Sequence, residues 1–275
     1  MWANYPDLLA HPVPRYTSYP TALEFREEVG ADAMLRAIAS VEAGDDISLY
    51  VHIPYCQQIC WYCGCNTGAA NKAQRLSSYL EALEAGLSMV GKLLGGRGRL
   101  RRLSFGGGSP NAIPPIAFVR LVDRILTMVQ GPQPEISIEV DPRALTPEWA
   151  LTLAAAQVTR VSFGVQSFAP DVQAAIGRIQ PFEMIESCMA SLRMRGVTKI
   201  NFDLMYGLHG QSMEDLDQTI DQVITLKPSR IALFGYAHVP HMIPRQKRIN
   251  AQHLPDQAER FAMAAMGHDY LVAAG

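Results

Sequence analysis

An α/β fold on parallel strands is what this 275-residue chain predicts, and three observations carry the prediction. Six short apolar, β-rich segments alternate with longer amphipathic stretches along most of its length. Apolar residues make up 48% and charged residues 18%, an ordinary globular composition with material for a large core. Polar residues recur at the strand ends, where parallel α/β folds gather their reactive groups. Such units build either an open doubly wound sheet or a barrel, and the length suits one large unit or two small ones.

The elements follow in order. Arg15–Thr21 reads as irregular, and a helix is expected over Ala31–Ala43. The first strand is Ile47–Ile53, where Tyr50 and His52 alternate with Val51 and Ile53 and so share one face. A helix over Lys72–Leu94 leads to the second strand, Leu100–Phe105, and a helix over Pro115–Val129 to the third, Ile136–Val140. Thr146-Pro147-Glu148 opens a helix over Pro147–Ala156 before the fourth strand, Arg160–Val165. A helix over Pro181–Arg195, closed by Gly196, precedes the fifth strand, Lys199–Leu204. Ser212-Met213-Glu214 opens a helix over Met213–Leu226, and the sixth strand is Ile231–Tyr236. His241–Pro255 is polar and turn-rich, and a final helix starts at Asp256 and runs towards Ala265. Gly275 then falls in what reads as a passage from helix to strand, as in a fragment of a longer protein. The regions are thus 1–46, an N-terminal segment and helix; 47–240, the core; and 241–275, the start of a further C-terminal region.

A net charge of −2 leaves no basic footprint, which argues against nucleic acid or an anionic membrane as the main partner. The start, Met1–Asp7, has neither the basic nor the apolar part of a secretory signal, and no apolar run reaches the length of a membrane span. Clustered cysteines without such a signal point to a reducing, cytoplasmic setting.

Four of the five cysteines, Cys56, Cys60, Cys63 and Cys65, lie within ten residues just after the first strand, as C-x3-C-x2-C-x-C. A structural zinc site draws on two short pairs held apart by a longer stretch, and a disulfide framework spreads its cysteines. An iron–sulfur cluster can take several thiolates from one loop, so a cluster is the leading reading, with zinc or a redox thiol pair as alternatives.

Further chemistry sits at later strand ends. Gly106-Gly107-Gly108-Ser109-Pro110 ends the second strand, and its glycines can bring backbone N–H groups close to a carboxylate or phosphate, or simply form a tight turn. It fits neither the phosphate loop nor the dinucleotide fingerprint. Glu139, Gln166 and Asp203 end the third, fourth and fifth strands and can face one site; singly, each would be an ordinary cap or turn residue. Arg143 and Arg178 can bind carboxylates through their planar forks. His238 reads as a satisfied interior residue and Cys188 as a small buried hydrophobe.

On these residues the sequence resembles the radical S-adenosylmethionine (SAM) enzymes: the C-x3-C-x2-C of Cys56, Cys60 and Cys63, the preceding Tyr50–Tyr55, and the glycine run. Arg15–Thr21, Cys63-Gly64-Cys65-Asn66, Ile136–Pro142, Phe163–Gln166, Asn201–Leu208 and Tyr236–Pro240 make it most similar to the oxygen-independent coproporphyrinogen III oxidase family. That resemblance implies a partial, open (β/α)6 barrel of the radical SAM type with an N-terminal extension. It implies a [4Fe–4S] cluster on Cys56, Cys60 and Cys63, with one iron left for the amino and carboxylate groups of SAM, and Cys65 lining the site instead of ligating. Two SAM molecules are implied, one near Tyr50, Gly107 and Glu139, and a second near Tyr62, Gly108, Ser109, Gln166, Arg178, Asp203 and Ala237. Ser109 stands where the family commonly has threonine, and His209 where a proline is frequent.

The implied activity is oxidative decarboxylation of two propionates of coproporphyrinogen III, giving protoporphyrinogen IX for haem synthesis. The implied partners are the porphyrinogen substrate and a low-potential electron donor of the flavodoxin or ferredoxin type, acting on a monomer. Arg15 is a candidate for the substrate carboxylates. Two alternatives keep the fold: a haem-degrading radical SAM methyltransferase, and a haem-binding or haem-delivery protein. Cys65 and Arg15–Thr21 argue against the first, and Cys65 against the second.

Overall fold

Alternation decides which way each strand faces. In β1 (Asp46–Ile53), Ile47, Leu49, Val51 and Ile53 turn to the apolar core and Ser48, Tyr50 and His52 to the other side. The same division runs through β4 (Arg99–Gly107), β5 (Glu135–Val140), β6 (Arg160–Gln166), β7 (Lys199–Tyr206) and β8 (Arg230–Gly235). Leu103, Phe105, Ile136, Ile138, Val161, Phe163, Ile200 and Phe202 all lie in that one core, buried under the helices. The opposite face carries small and polar residues, among them Gly106, Ser137, Glu139, Ser162, Gly164 and Asp203. A continuous apolar run would have indicated a sheet buried on both faces; here one face is reserved for a cavity.

The six strands pair in parallel in the order β1-β4-β5-β6-β7-β8, which is their order along the chain. A doubly wound sheet reverses its direction of growth at a switch point. This one never does, and crossovers of constant hand then put the helices on one face. The alternative left open by the sequence is thereby resolved in favour of the open barrel-type sheet, with β1 and β8 as its unjoined edges.

The computed structural model describes Tyr5, Thr21 and residues 24–275 apart from Gln130. Arg15 and most of the Arg15–Thr21 segment lie outside the described residues. The crossover helices are α2 (Ala73–Leu94), α3 (Pro115–Met128), α4 (Pro147–Ala155), α6 (Phe182–Arg193) and α7 (Met213–Leu226). Thr146 caps α4 by accepting from the Trp149 N–H, and Ser212 with Asp215 forms a capping box on α7.

Three helices differ from expectation. The first helix, α1 (Ala31–Ala39), stops short of Ala43, because the Ser40 hydroxyl turns back to the Ala37 carbonyl and Glu42–Asp45 closes a turn. A short helix, α5 (Pro170–Ala175), interrupts the approach to α6; six residues are too few to show a periodicity. The last helix, α8 (Gln257–Ala274), runs on where a passage to a strand was expected. Tyr270 and Leu271 continue its apolar stripe against the cluster formed by Leu216, Ile220 and Met263. A capping box of Asp256 and Glu259 opens it, and it packs on α7, β7 and β8.

Candidate cofactor site at the carboxyl edge of the sheet

The cysteine loop is closed before it carries any chemistry. Two-residue strands β2 (Tyr55–Cys56) and β3 (Gly68–Ala69) pair in parallel across it. The Trp61 N–H donates to the Ile176 carbonyl at 2.9 Å, fixing the loop to the end of α5. Buried Gln246 holds the far side: its Nε2 donates to the carbonyls of Tyr62 (2.8 Å) and Ala237 (3.1 Å), and its Oε1 accepts from the Val239 N–H. Arg245 adds a bond from Nη2 to the Thr67 carbonyl at 3.2 Å. Residues 241–275 therefore help to shape the site.

Above the polar face of the sheet lies a cavity of about 480 Å³. Of the residues singled out from the sequence, Cys56, Cys60, Cys63, Tyr62, Gly107, Gly108, Ser109, Glu139, Gln166, Arg178, Asp203 and Ala237 all line it. Tyr50 does not; its hydroxyl sits 3.2 Å from His52 Nδ1, and the ring is largely exposed. Cys65 also lines the cavity, while Cys188 is buried elsewhere, its thiol aimed at the Pro142 carbonyl.

All five cysteines are free thiols. Hydrogen bonding from Cys65 outweighs burial and brings Cys63 down to about 6, and the same bond, with burial, pushes Cys65 upward. Burial raises Cys56, opposed by a 3.2 Å contact with the Thr67 hydroxyl. Among the described residues, no three His, Cys, Asp or Glu side chains converge on a single metal position. One zinc ion would need its sulfurs all within about 2.3 Å of a point, whereas in a four-iron cluster each thiolate binds a different iron. Three free thiols from one short loop, all lining the cavity, are a donor set that fits such a cluster.

The glycine run works differently from the expectation of free N–H groups. The Gly108 N–H donates to the Ile53 carbonyl (2.8 Å), the Ser109 N–H to Tyr55 (2.7 Å), and the Gly107 N–H to Glu139 Oε2 (3.2 Å). The glycines are there for proximity. A Cβ on Gly107 (φ +113°) would stand 2.6 Å from the His52 ring, and one on Gly108 would stand 2.6 Å from the Tyr55 carbonyl oxygen. The Ser109 hydroxyl donates to Asn111 Oδ1. Asn111 in turn exchanges two 3.0 Å hydrogen bonds with the Asp141 backbone, joining the ends of β4 and β5.

Glu139 on β5 and Asp203 on β7 meet the cavity from either side of β6. Glu139 is exposed towards the cavity, yet desolvation by the surrounding protein raises its pKa, against the opposing Gly107 N–H. Burial raises Asp203 likewise, against a hydrogen bond from Ser162. Both would gain from a cationic ligand. Gln166 turns into the cavity through a left-handed backbone (φ 67°) where β6 bulges against β7, an unusual conformation for a non-glycine residue.

Arg143 and Arg178 both engage protein partners, although Arg178 also lines the cavity. Arg143 forms a bidentate pair with Asp141 (Nη2 to Oδ2 2.7 Å, Nε to Oδ1 3.0 Å). Arg178 donates from Nε to the Gly164 carbonyl at 2.9 Å and lies 3.6 Å from Asp141 Oδ1. Burial alone would raise the Asp141 carboxyl, but the Arg143 hydrogen bond and the Arg178 charge prevail and hold it below its usual range. The sequence reading missed Asp141, Asn111 and Gln246. The only signals were their polar character beside Pro142, Pro110 and Pro244, which reads first as turn chemistry.

Comparison with known proteins agrees with this geometry. Residues 50–223 match the radical SAM superfamily. The chain is 39% identical over 267 residues to an oxygen-independent coproporphyrinogen III oxidase of Bradyrhizobium diazoefficiens, covering 96% of this chain and 59% of the relative. Against the Escherichia coli protein of the same description it is 38% identical over 248 residues, 90% of this chain and 54% of that one. The chain thus spans somewhat over half the length of these relatives. The solved coproporphyrinogen III oxidase of Escherichia coli, described as a radical SAM enzyme, superposes with a TM-score of 0.89 at 36% identity, over 94% of this chain and 60% of that one. SuiB of Streptococcus suis, solved with S-adenosylmethionine bound, shares the fold at a TM-score of 0.56 and 17% identity, over 88% of this chain and 51% of that one. No helix among the described residues is long and apolar enough to cross a membrane. With its cysteine loop at the carboxyl edge of a sequentially ordered parallel sheet, the chain belongs to the radical SAM superfamily.

Proposed function

We propose that the chain belongs to an oxygen-independent coproporphyrinogen III oxidase, which converts two propionates of coproporphyrinogen III to vinyl groups by oxidative decarboxylation in haem synthesis. The observation that carries this reading is one cavity bordered by Cys56, Cys60 and Cys63, spaced C-x3-C-x2-C, and by Glu139, Gln166, Arg178 and Asp203. Similarity to oxidases of that description over nearly the whole chain supports the choice of substrate.

Cys56, Cys60 and Cys63 would hold the cluster. When bound, the cluster and SAM would together supply one-electron radical chemistry for hydrogen abstraction from the substrate. Glu139, oriented by the Gly107 N–H, would accept hydrogen bonds from the ammonium or hydroxyl groups of the first SAM beside Gly107. Tyr62, Gly108, Ser109, Gln166, Arg178, Asp203 and Ala237 would contact the second. The positive charge of SAM suits two carboxyls, Glu139 and Asp203, whose pKa values burial raises. Met205, Phe234, Tyr236 and Val239 give the cavity an apolar wall that keeps water from reactive carbon. A flavodoxin or ferredoxin type donor would deliver the electrons.

The test is anaerobic reconstitution of this chain with iron and sulfide, then reduction with SAM and coproporphyrinogen III. A cluster absorption band, released 5′-deoxyadenosine and vinyl porphyrin product are expected. A cluster with deoxyadenosine and no porphyrin product would refute the substrate; no cluster would refute the whole reading.

A further inference from the structure

Cys60 differs from the other cysteines of its loop in what surrounds its sulfur. It is buried, and two guanidinium groups reach the same atom: Arg143 Nη2 and Arg178 Nη1 each donate to Cys60 Sγ at 3.3 Å. The donors come from different places, Arg143 just beyond β5 and Arg178 just beyond α5. Asp141 ties them together, pairing with Arg143 at 2.7 Å and facing Arg178 at 3.6 Å, and all three side chains are at most 9% exposed. Two cations against one carboxylate leave an excess positive charge in a buried wall, an arrangement that favours an anionic neighbour. A ligating cysteine sulfur supplies one.

We propose that Arg143 and Arg178, held by Asp141, form an N–H clamp on the Cys60 sulfur that makes the cluster easier to reduce. Hydrogen bonds and positive charge at a cluster sulfur stabilise the reduced form, which carries the extra electron. Arg143 is thus a positioning and tuning residue, acting through Cys60 without touching the substrate. The inference rests on the cluster assignment above.

The test is a redox titration of the reconstituted chain, read by electron paramagnetic resonance, together with iron content and a thermal melt. Arg143→Met is expected to keep its iron and to shift the midpoint potential downward. Arg143→Lys, which keeps the charge without the fork, is expected to fall between. The double substitution Asp141→Asn with Arg143→Met removes both members of the pair, so neither is left unpaired if the single variant does not fold. An unchanged potential in any loaded variant would overturn the inference. So would folded variants that take up no iron, since the role would then be assembly, and so would failure of all three to fold. Absence of a cluster in the unsubstituted chain would instead refute the assignment on which this rests.

Discussion

Replacing Gly108 by alanine tests whether the glycine run is there for proximity or merely for flexibility. The new Cβ would lie 2.6 Å from Thr67 Oγ1, 2.6 Å from the Tyr55 carbonyl oxygen and 2.8 Å from the Tyr55 nitrogen. The hydroxyl can rotate away, but the two Tyr55 atoms are backbone in β2, the strand that closes the cysteine loop. Forcing atoms into a packed site costs about 1–3 kcal/mol, and a backbone obstacle argues for the upper half of that range. In a chain of this length that lowers the melting temperature by roughly 4–12 °C. Gly86 is the internal control: it lies inside α2 and a Cβ there meets nothing within 4 Å. Gly86→Ala should gain about 0.5–1 kcal/mol, because alanine loses less backbone freedom in a helix. Thermal melts of the cluster-free chain, followed by circular dichroism, decide the matter. If Gly108→Ala melts at or above the unsubstituted chain while Gly86→Ala rises, the close approach of Gly108 to Tyr55 is not what the structure implies.

Removing the buried carboxylate with Asp141→Ala leaves Arg143 and Arg178 facing each other without a counter-ion, and should cost about 3–5 kcal/mol in a urea titration. Glu139→Gln should do the opposite at neutral pH. Burial raises the Glu139 pKa above its ordinary 4.5, so the ionised group disfavours folding above its folded-state pKa and ceases to do so below 4.5. The variant should therefore melt higher at pH 7, with the gap closing in acid, and a lower melt at pH 7 would contradict the burial argument. Serine substitutions at Cys56, Cys60 and Cys63 should each cut reconstituted iron sharply, whereas Cys65→Ser and Cys188→Ser should retain it. Equal loss at Cys65 would make it a ligand and overturn the three-cysteine assignment.

Much of the fold was legible because the strands alternate cleanly. The spacing of Ile136, Ile138 and Val140, or of Ile200, Phe202 and Leu204, marks both a strand and its buried face, and each of the six strands of the main sheet overlaps its expected range, whereas the two-residue strands β2 and β3 are too short to show a pattern. Ser212 and Thr146 announced their helices through capping chemistry that acts within four residues. Gln246 was invisible for the opposite reason. Its partners Tyr62 and Ala237 lie far away or across a turn, and nothing in Pro244–Arg248 distinguishes it from a solvated glutamine.

The sequence by itself determined the alternation of strands and helices, the cysteine spacing, and the set of polar residues at strand ends, because these depend on local periodicity and on residues near in the chain. Only the tertiary structure decided that the sheet grows in one direction without a switch point, since that depends on which strands pair. It also decided which N–H groups the glycine run keeps for the protein itself, and that Arg143 and Arg178 turn inward to Asp141 and Cys60. Arginine can pair with any carboxylate or sulfur it reaches, and only the fold specifies which ones stand within reach.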